Sequence, residues 1–247
     1  MISVCIATYN GEKYIREQLK SILCQLSEFD EVIVSDDSST DTTLEIVESL
    51  KDDRIKILPN KTFKSPVFNF ENALKHAKGD FIFLSDQDDV WKNNRVSEMI
   101  SAIEQSNTLL LSSLFVCFEN NTNTLKSQYN NYFEPSSSTN YFSNICNIII
   151  GKRIYFGCTM LIRRDLLSVA LPIPKYVDCH DLWIALTANI CKSNYHFNQP
   201  TLYRRIHENN ASLKQRTLIK KLRTRFFHIL SIFALFYRKK KHQKKIK

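Results

Sequence analysis

The sequence predicts an α/β domain in which a mainly parallel, Rossmann-like sheet is flanked by helices. Three observations support this fold class. A chain of 247 residues can bury one sizeable core. It starts on a nearly continuous apolar run, Ile2 to Ala7, which is typical of a strand buried on both faces. Short β-prone runs then alternate with stretches of helical periodicity, which predicts parallel strands joined by right-handed crossovers.

The first half of the chain is predicted to hold four short apolar strands, over residues 2–7, 31–35, 54–58 and 81–84. A helix is predicted over residues 12–26, where apolar residues recur at spacings of three and four. Further helices are expected around residues 44–50 and 68–77, and Gly79 ends the second of these.

The second half carries weaker signals. Strands are predicted over residues 109–118 and 155–162, a helix over 180–190 and an extended segment over 195–205. Residues 119–140 are rich in Asn, Ser, Thr and Tyr, so we interpret them as a long loop, with a lid as one hypothesis.

The positive charge is concentrated at the end of the chain. The formal net charge is +9, but residues 214–247 carry 13 Lys or Arg and no Asp or Glu, so residues 1–213 carry −4. A slightly acidic body argues against a nucleic-acid-binding core. We therefore predict a catalytic domain over residues 1–213 and a basic, partly apolar helical tail over residues 214–247.

The tail has an apolar run, residues 226–237, between two basic stretches. Twelve residues are fewer than the ~20 that a spanning helix needs, whereas an apolar helix flanked by cations suits the surface of an anionic membrane. A partner-docking helix and a disordered solubilising tail are the alternatives. The seven cysteines are scattered without a CxxC pair, and the N-terminus lacks signal-peptide features, so we expect reduced thiols and a cytoplasmic location.

An acidic cluster follows the fourth predicted strand: Asp86-Gln87-Asp88-Asp89. In open α/β sheets ligands bind outside the carboxyl ends of the strands, which is where this cluster is expected to lie. Three carboxylates within four residues repel one another and need a cation or several donors to offset the cost. The cluster therefore predicts a metal site, and a solvated turn that caps the next helix is the alternative.

The sequence Asp-Gln-Asp-Asp-Val-Trp at residues 86–91 resembles the metal-binding aspartate motif of family 2 glycosyltransferases of the GT-A type, and more narrowly the rhamnosyltransferase-like branch. Further blocks carry the resemblance in the same order, over residues 5–11, 34–41, 69–70, 77–80, 157–160, 180–183 and 203–210. It therefore spans residues 1 to about 213 and leaves the tail outside.

The resemblance implies a role for each matching residue. Donor-binding roles fall to Thr8, Tyr9, Asn10, Asp36, Asp37, Asn69, Asp86, Gln87 and Arg205. Either Asp36 or Asp37 would accept a hydrogen bond from the base, a role that suits an acceptor-only side chain, and the choice between them stays open. Asp88, Asp89 and His207 would hold Mg²⁺ or Mn²⁺ between the phosphates.

Asp181 resembles the catalytic base of the family, preceded here by His180 where many relatives have Glu. An inverting displacement needs a carboxylate that takes the proton of the acceptor hydroxyl, and Asp181 would supply it. A helix N-cap is the alternative for Asp181. Acceptor-side roles would fall to Gly157, Cys158, Thr159 and Trp183.

The sequence thus predicts an inverting glycosyltransferase that moves a hexose or deoxyhexose from a UDP- or dTDP-sugar to a saccharide hydroxyl. The resemblance implies a lipid-linked acceptor in bacterial O-antigen or capsule synthesis, at the cytoplasmic face of the cell membrane. A sugar-phosphate nucleotidyltransferase is disfavoured because Thr8 to Gly11 provides no glycine-rich basic cradle. A nucleic-acid-binding module that uses the basic tail is the non-enzymatic alternative. Donor sugar, acceptor, linkage and oligomeric state are left open.

Overall fold

The computed structural model describes residues 1–58, 62–119, 122–126, 134–207 and 217–246. Within them a nine-stranded sheet has the order β3-β2-β1-β4-β8-β6-β9-β5, with β7 paired to β6. The strands are β1 Ile2–Thr8, β2 Glu31–Asp36, β3 Ile55–Ile57, β4 Phe81–Asp86, β5 Val90–Trp91, β6 Leu110–Glu119, β7 Thr122–Lys126, β8 Met160–Arg163 and β9 Asn194–Arg205. The helices are α1 Ile15–Leu23, α2 Thr43–Ser49, α3 Pro66–His76, α4 Arg95–Ser106, α5 Tyr141–Ile150, α6 Leu167–Ala170, α7 His180–Cys191 and α8 Leu218–Ile246.

The N-terminal half of the sheet is parallel, as predicted. Strand β1 pairs in parallel with β2 on one side and with β4 on the other, and β2 pairs in parallel with β3. The register aligns Thr8 with Asp36 and Ala7 with Asp86. Three strands thus end side by side, and the polar residues that follow them meet at one edge of the sheet.

The C-terminal half reverses direction. Strand β8 is antiparallel to β4, β6 is antiparallel to β8, β9 runs parallel to β6, and the short β5 is antiparallel to β9. Strand β5 begins just after the acidic cluster, and it pairs Val90 with Tyr203 and Trp91 with Leu202. This pairing carries the end of β9 and the two residues after it, together residues 204–207, to the acidic cluster.

Alternate residues of the central strands enter two hydrophobic clusters on opposite faces of the sheet. Cys5 belongs to the cluster under α3, α5 and α7, whereas Val4 and Ile6 belong to the one under α1 and α4. Because both faces are covered by helices, the strand is apolar at nearly every position between Ile2 and Ala7, with Ser3 as the exception. This explains why β1 reads as a continuous apolar run.

The predicted loop over residues 119–140 is wrong in part. Residues 122–126 form β7 against β6, and a short 3-10 turn spans Pro135–Ser137. Residues 120–121 and 127–133 lie outside the described residues, so the lid hypothesis stays a prediction. The predicted strand over 155–162 is also wrong in extent, since Gly157–Thr159 form a 3-10 turn and the strand is Met160–Arg163.

The tail forms one packed helix over its described residues, α8, which lies against α5, α6 and α7. Leu235 is fully buried, and the Lys239 ammonium donates to the Ile190 carbonyl at 2.8 Å. The Arg238 guanidinium lies 5.3 Å from the Trp183 ring centroid. The disordered alternative is therefore wrong for residues 218–246, and the predicted boundary after residue 213 falls outside the described residues. Among the helices described, none is both long and apolar enough to cross a bilayer.

Candidate active site

The predicted nucleotide residues lie where β1 and β2 end. The Thr8 hydroxyl donates to Asp36 Oδ1 at 2.8 Å, and the Ser39 amide donates to Asp36 Oδ2 at 2.7 Å. Asp37 instead accepts the backbone amides of Lys64 and Ser65, at 2.9 and 3.0 Å. Each carboxylate fixes a different loop, so the choice between Asp36 and Asp37 as the base contact stays open.

Two more of the predicted donor residues shape the same loop. The Asn10 side-chain oxygen accepts the Thr40 amide at 2.8 Å, which joins the turn after β1 to the turn after β2. Tyr9 is exposed, at 57% of the full area of the residue, so its aromatic side chain is available at the rim of the site. Stacking on a base requires such an exposed ring.

Asn69 lies beneath the end of β1 rather than in the open cleft. It is buried on α3, and its side-chain nitrogen donates to the Thr8 carbonyl at 3.1 Å. Its Oδ1 is buried without a hydrogen-bond partner among the described residues. One half of the amide thus supports the nucleotide loop, and the other half is an acceptor that remains available.

The metal motif and the end of β9 meet directly. Asp88 Oδ2 and His207 Nε2 lie 2.7 Å apart, and both side chains are largely buried. The His207 ring stacks on Tyr14, with the ring centroids 5.1 Å apart. Two residues that were predicted as metal ligands from separate parts of the sequence therefore share one location.

Asp86 and Asp89 complete the acidic cluster. Burial, followed by the nearby charge of Asp88, raises the pKa of Asp86 to about 7. The same two causes raise the pKa of the buried Asp89 well above its usual range. Asp89 Oδ1 accepts the Arg205 amide at 3.1 Å, whereas Oδ2 has no partner among the described residues. Crowded carboxylates with high pKa values are the electrostatic signature of a site that a cation would relieve.

Two arginines from the end of β9 surround this cluster. The buried Arg204 guanidinium lies 4.8 Å from the Phe156 centroid, and its charge lowers the pKa of Asp86 and Asp89 against the other effects. Arg205 donates from Nε to the Asp88 carbonyl at 2.9 Å and pairs with Glu17 at 2.6 Å. Arg205, a predicted donor contact, thus also orients the metal motif.

The charge of Asp181 contributes to the raised pKa of Asp86, which indicates that Asp181 lies near the cluster. It occupies the first turn of α7, and its Oδ1 accepts the Leu182 amide at 2.9 Å. The N-cap position belongs to Cys179, so the predicted alternative of Asp181 as the N-cap is wrong. A carboxylate is therefore present near the metal motif, on α7, whereas the predicted metal ligands follow β4 and β9.

The predicted acceptor side is corrected in one respect. Trp183 is only 1% exposed, and its indole nitrogen donates to the Ala170 carbonyl at 2.9 Å, so it is a core residue and not a pocket wall. Cys158 and Thr159 are buried too, and burial raises the pKa of the Cys158 thiol well above its usual range. Its sulfur and the carboxylate oxygens of Asp86 and Asp89 lie within 4.8 Å of one another. The protonated thiol forms a hydrogen bond with Asp86, and it is a poor ligand for a hard cation.

Two supporting residues were missed from the sequence. Gln18 is buried on α1, and its amide donates to Ser85 and, at 3.0 Å, to the Asp86 carbonyl. Arg95 is fully buried on α4 and donates to the Cys158 carbonyl at 2.7 Å. The available signal was a polar residue within the apolar spacing of α1, where Gln18 lies between Ile15 and Ile22.

Together these observations define a class of protein: an α/β enzyme with a carboxylate-rich centre at the carboxyl edge of its parallel strands, where nucleotides bind. Residues 3–170 match the family model described as "Glycosyl transferase family 2". The chain belongs to this family. The predictions of family 2, of a GT-A fold and of a nucleotide-sugar-dependent glycosyltransferase are confirmed.

Curated relatives resemble the chain over most of its length. The Escherichia coli UDP-Glc:alpha-D-GlcNAc-diphosphoundecaprenol beta-1,3-glucosyltransferase WfaP is 28% identical, over 96% of this chain and 92% of the relative. The Shigella flexneri dTDP-rhamnosyl transferase RfbG is 29% identical, over 83% of this chain and 72% of the relative.

Solved structures show the same fold. Residues 1–349 of TarS from S. aureus, in complex with UDP-GlcNAc, match with a TM-score of 0.69 and 24% identity, over 93% of this chain and 66% of that one. The mannosyltransferase PcManGT from Pyrobaculum calidifontis, in complex with GDP-Man and Mn²⁺, matches with a TM-score of 0.62 and 17% identity, over 96% of this chain and 73% of that one. At these identities the likeness concerns the fold alone.

Proposed function

We propose that this enzyme is an inverting glycosyltransferase that moves a hexosyl or deoxyhexosyl unit from a UDP- or dTDP-sugar to a hydroxyl of a lipid-linked saccharide in bacterial surface-polysaccharide synthesis. The pairing of Asp88 with His207 beside Asp86 and Asp181 is the observation that supports it most. The names of the relatives support the substrate classes, since one uses UDP-Glc and a diphosphoundecaprenol-linked acceptor, and another is a dTDP-rhamnosyl transferase.

The donor set fits a divalent cation. Asp88 offers a carboxylate oxygen and His207 an imidazole nitrogen at the same place, and the next residue, Asp89, holds a buried oxygen that has no hydrogen-bond partner among the described residues. Oxygen ligands suit Mg²⁺ and Mn²⁺, and an imidazole favours Mn²⁺ of the two. When bound, the cation would neutralise charge that develops on the leaving nucleoside diphosphate. Asp88, His207 and Asp89 are therefore the proposed ligands.

The protein's own groups would perform the remaining steps. Tyr9 and the turn after β1 would hold the nucleoside, and Asp86 would contact the ribose or the donor sugar. The Asp181 carboxylate would take the proton from the acceptor hydroxyl. The acceptor oxygen would form a bond to the anomeric carbon as the bond from that carbon to the diphosphate breaks, and attack from the opposite face inverts the anomeric centre.

Two substitutions separate the roles. Asp88→Asn should weaken Mn²⁺-dependent binding of UDP and dTDP by at least tenfold, because it removes an anionic ligand. Asp181→Asn should leave nucleotide binding within about twofold and reduce transfer by at least 10³-fold, which is within the range of general-base contributions. Calorimetric titration measures the binding, and turnover of UDP-Glc and dTDP-rhamnose with a diphosphoundecaprenol-linked saccharide measures the transfer.

The exposed Asp165, just after β8, provides a matched control. Asp165→Asn changes the same atoms outside the site and should leave both binding and transfer unchanged. If Asp88→Asn binds both nucleotides as the wild type does, the proposed metal and nucleotide site is wrong. If Asp181→Asn still transfers at the wild-type rate, the proposed base is wrong.

The tail supports attachment at the membrane surface. The buried residues of α8 face the domain, whereas its large exposed apolar residues lie on the outward side: Ile219, Leu222, Phe226, Ile229, Leu230, Phe233, Phe236 and Tyr237. A packed helix whose solvent side is apolar is unusual for a surface helix. Exposed cations stand at both ends of this outward face, among them Lys221, Arg223, Lys240 and Lys241, and no acidic residue occurs in the helix.

This charge pattern favours an anionic lipid surface as the occupant of the outward face. Vesicles with phosphatidylglycerol should bind the protein, and vesicles of phosphatidylcholine should bind it weakly. Replacing both Phe226 and Phe233 by Ser should weaken vesicle binding by at least tenfold, because burying one such side chain contributes about 1.5 kcal/mol or more.

Phe29→Ser is the matched control for the tail, because Phe29 lies outside the helix and is more exposed than either Phe226 or Phe233. It should bind vesicles as the wild type does. If the wild-type protein binds neither kind of vesicle, the membrane proposal is wrong. Dimers that dissociate in the Phe226→Ser/Phe233→Ser variant would show that a second copy of the chain covers this face instead.

A further inference from the structure

The side chain of Gln87 joins the metal motif to the turn after β1. Its Oε1 accepts the Tyr9 backbone amide at 2.9 Å, and its Nε2 donates to the Tyr9 carbonyl at 3.0 Å. The two bonds are reciprocal, so they require a side chain that carries one donor and one acceptor together. Among side chains only the amides of Asn and Gln meet this requirement in fixed geometry, and Asn is one methylene shorter.

Gly11 provides the room that this amide occupies. A Cβ at position 11 would lie 2.4 Å from Gln87 Oε1 and 2.6 Å from its Cδ. The backbone of Gly11 lies outside the left-handed region, since the positive φ values among the glycines belong to Gly151. The reason for glycine at position 11 is therefore space for the Gln87 amide, and not the conformation of its own backbone.

The position of this contact gives it a purpose. The ladder between β1 and β4 ends where Ala7 pairs with Asp86. Beyond that rung the two chains part, one into the turn with Thr8, Tyr9 and Asn10, the other into the metal motif. The Gln87 amide adds a pair of side-chain hydrogen bonds beyond the last backbone pair of the ladder. These bonds fix the position of the Tyr9 turn relative to the metal motif, and so the nucleoside side of the site relative to the diphosphate side.

We propose that Gln87 is a positioning residue that holds the Tyr9 turn against the metal motif, and that it acts through the backbone of Tyr9 and not by touching the donor. This inference rests on the proposed nucleotide role of that turn. It is an alternative to the prediction that Gln87 contacts the donor, and it is favoured by the two bonds with which the amide holds Tyr9.

Substitution at either side of the contact tests the inference. Gln87→Ala should raise the dissociation constants of UDP and dTDP with Mn²⁺ about tenfold, which corresponds to about 1.4 kcal/mol. Gln87→Glu should lose at least as much, because its second carboxylate oxygen would face the Tyr9 carbonyl. Gly11→Ala should match Gln87→Ala, since the new methyl group displaces the amide.

We call the pair of bonds between the Gln87 amide and the Tyr9 backbone the clamp. The double variant distinguishes loss of this clamp from a general loss of structure. Gly11→Ala added to Gln87→Ala should cost less than a further twofold in affinity, because the group with which the methyl collides is gone. The melting temperature without nucleotide should stay within about 2 °C of the wild type in all variants, since the collision involves the far end of a flexible side chain. Gln105→Ala, an exposed glutamine on α4, is the matched control.

Each outcome decides one question. Wild-type affinity in Gln87→Ala, or additive losses in the double variant, would overturn the clamp. A loss of affinity that follows a lowered melting temperature without nucleotide would also overturn it, in favour of a merely structural role. If Asp88→Asn abolishes nucleotide binding while Gln87→Ala does not weaken it, the clamp alone is wrong. A wild-type protein that binds neither nucleotide with Mn²⁺ would overturn the proposed function and the clamp with it.

Discussion

His196 should make a contribution to stability that is lost on mild acidification. This residue of β9 is fully buried, with Nδ1 lying 2.7 Å from the Ser137 hydroxyl and Nε2 lying 2.9 Å from the Tyr155 hydroxyl. Burial, followed by the charge of Arg153, lowers the pKa of His196 from 6.5 to about 3. The imidazole is therefore neutral in the folded protein at every pH near neutrality.

The sign and size of the effect follow from proton linkage. Below pH 6.5 the unfolded chain binds a proton at His196 that the folded chain refuses, so stability is fully present above pH 6.5 and is lost as the pH falls toward 3. Between pH 7.5 and pH 5.5 the loss from this one residue is about 1.3 kcal/mol. Asp86, whose pKa is raised to about 7, titrates in the same interval with the opposite sign, so the His196 effect is measured as a difference between variant and wild type.

Urea unfolding at pH 7.5 and at pH 5.5, followed by circular dichroism, measures this loss. His196→Gln removes the titrating group, so the change in its free energy of unfolding from pH 7.5 to pH 5.5 should be more favourable than that of the wild type by about 1.3 kcal/mol. His76→Gln, at an exposed histidine of α3, is the control and should keep the wild-type difference. Equal pH dependence in His196→Gln and the wild type would refute the reasoning.

Three further outcomes test the framework of the site. Arg95→Ala should lower the free energy of unfolding by about 3 kcal/mol or more in urea titrations, because it removes a fully buried cation that donates to the Cys158 carbonyl. Leu235→Ala should lower it by about 2–5 kcal/mol if α8 is an integral layer of the domain, whereas a loosely attached tail would leave the urea midpoint unchanged. Glu17→Ala should change the free energy of unfolding by less than about 1 kcal/mol, since Glu17 is largely exposed; a larger fall in the urea titration would show that its pair with Arg205 is a principal support of the metal motif.

The first half of the fold could be predicted from the sequence because its strands and helices have recognisable local patterns. The strand β1 is apolar at most positions, and α1 repeats its apolar residues at helical spacing, so each element could be recognised without its neighbours. The parallel order then followed from the alternation of strands and helices. The second half depends on distant pairing, such as that of β6 with β9, which no local pattern encodes.

The same distinction applies to the site. Motif resemblance identified Asp88 and His207, and the structure brings them together, but resemblance carries no information on which way a side chain points. Trp183 matched a motif and is nevertheless buried in the core. Gln87 matched one too, and its amide turns toward the backbone of Tyr9. Orientation depends on what packs against the residue, and that is a property of the assembled fold.

The electrostatics of the site follow from one strand pairing. An acidic run follows β4 and a basic run ends β9, and β5 pairs antiparallel with β9 so that Val90 lies opposite Tyr203. Beyond these two pairs the segments stay in contact, since the Arg205 amide donates to Asp89 Oδ1 and Arg205 Nε donates to the Asp88 carbonyl. Unlike charges on neighbouring strands stabilise the pairing, whereas a slip by one residue would send each side chain to the opposite face of the sheet. The pairing that offsets the repulsion among the carboxylates therefore also delivers His207 to Asp88.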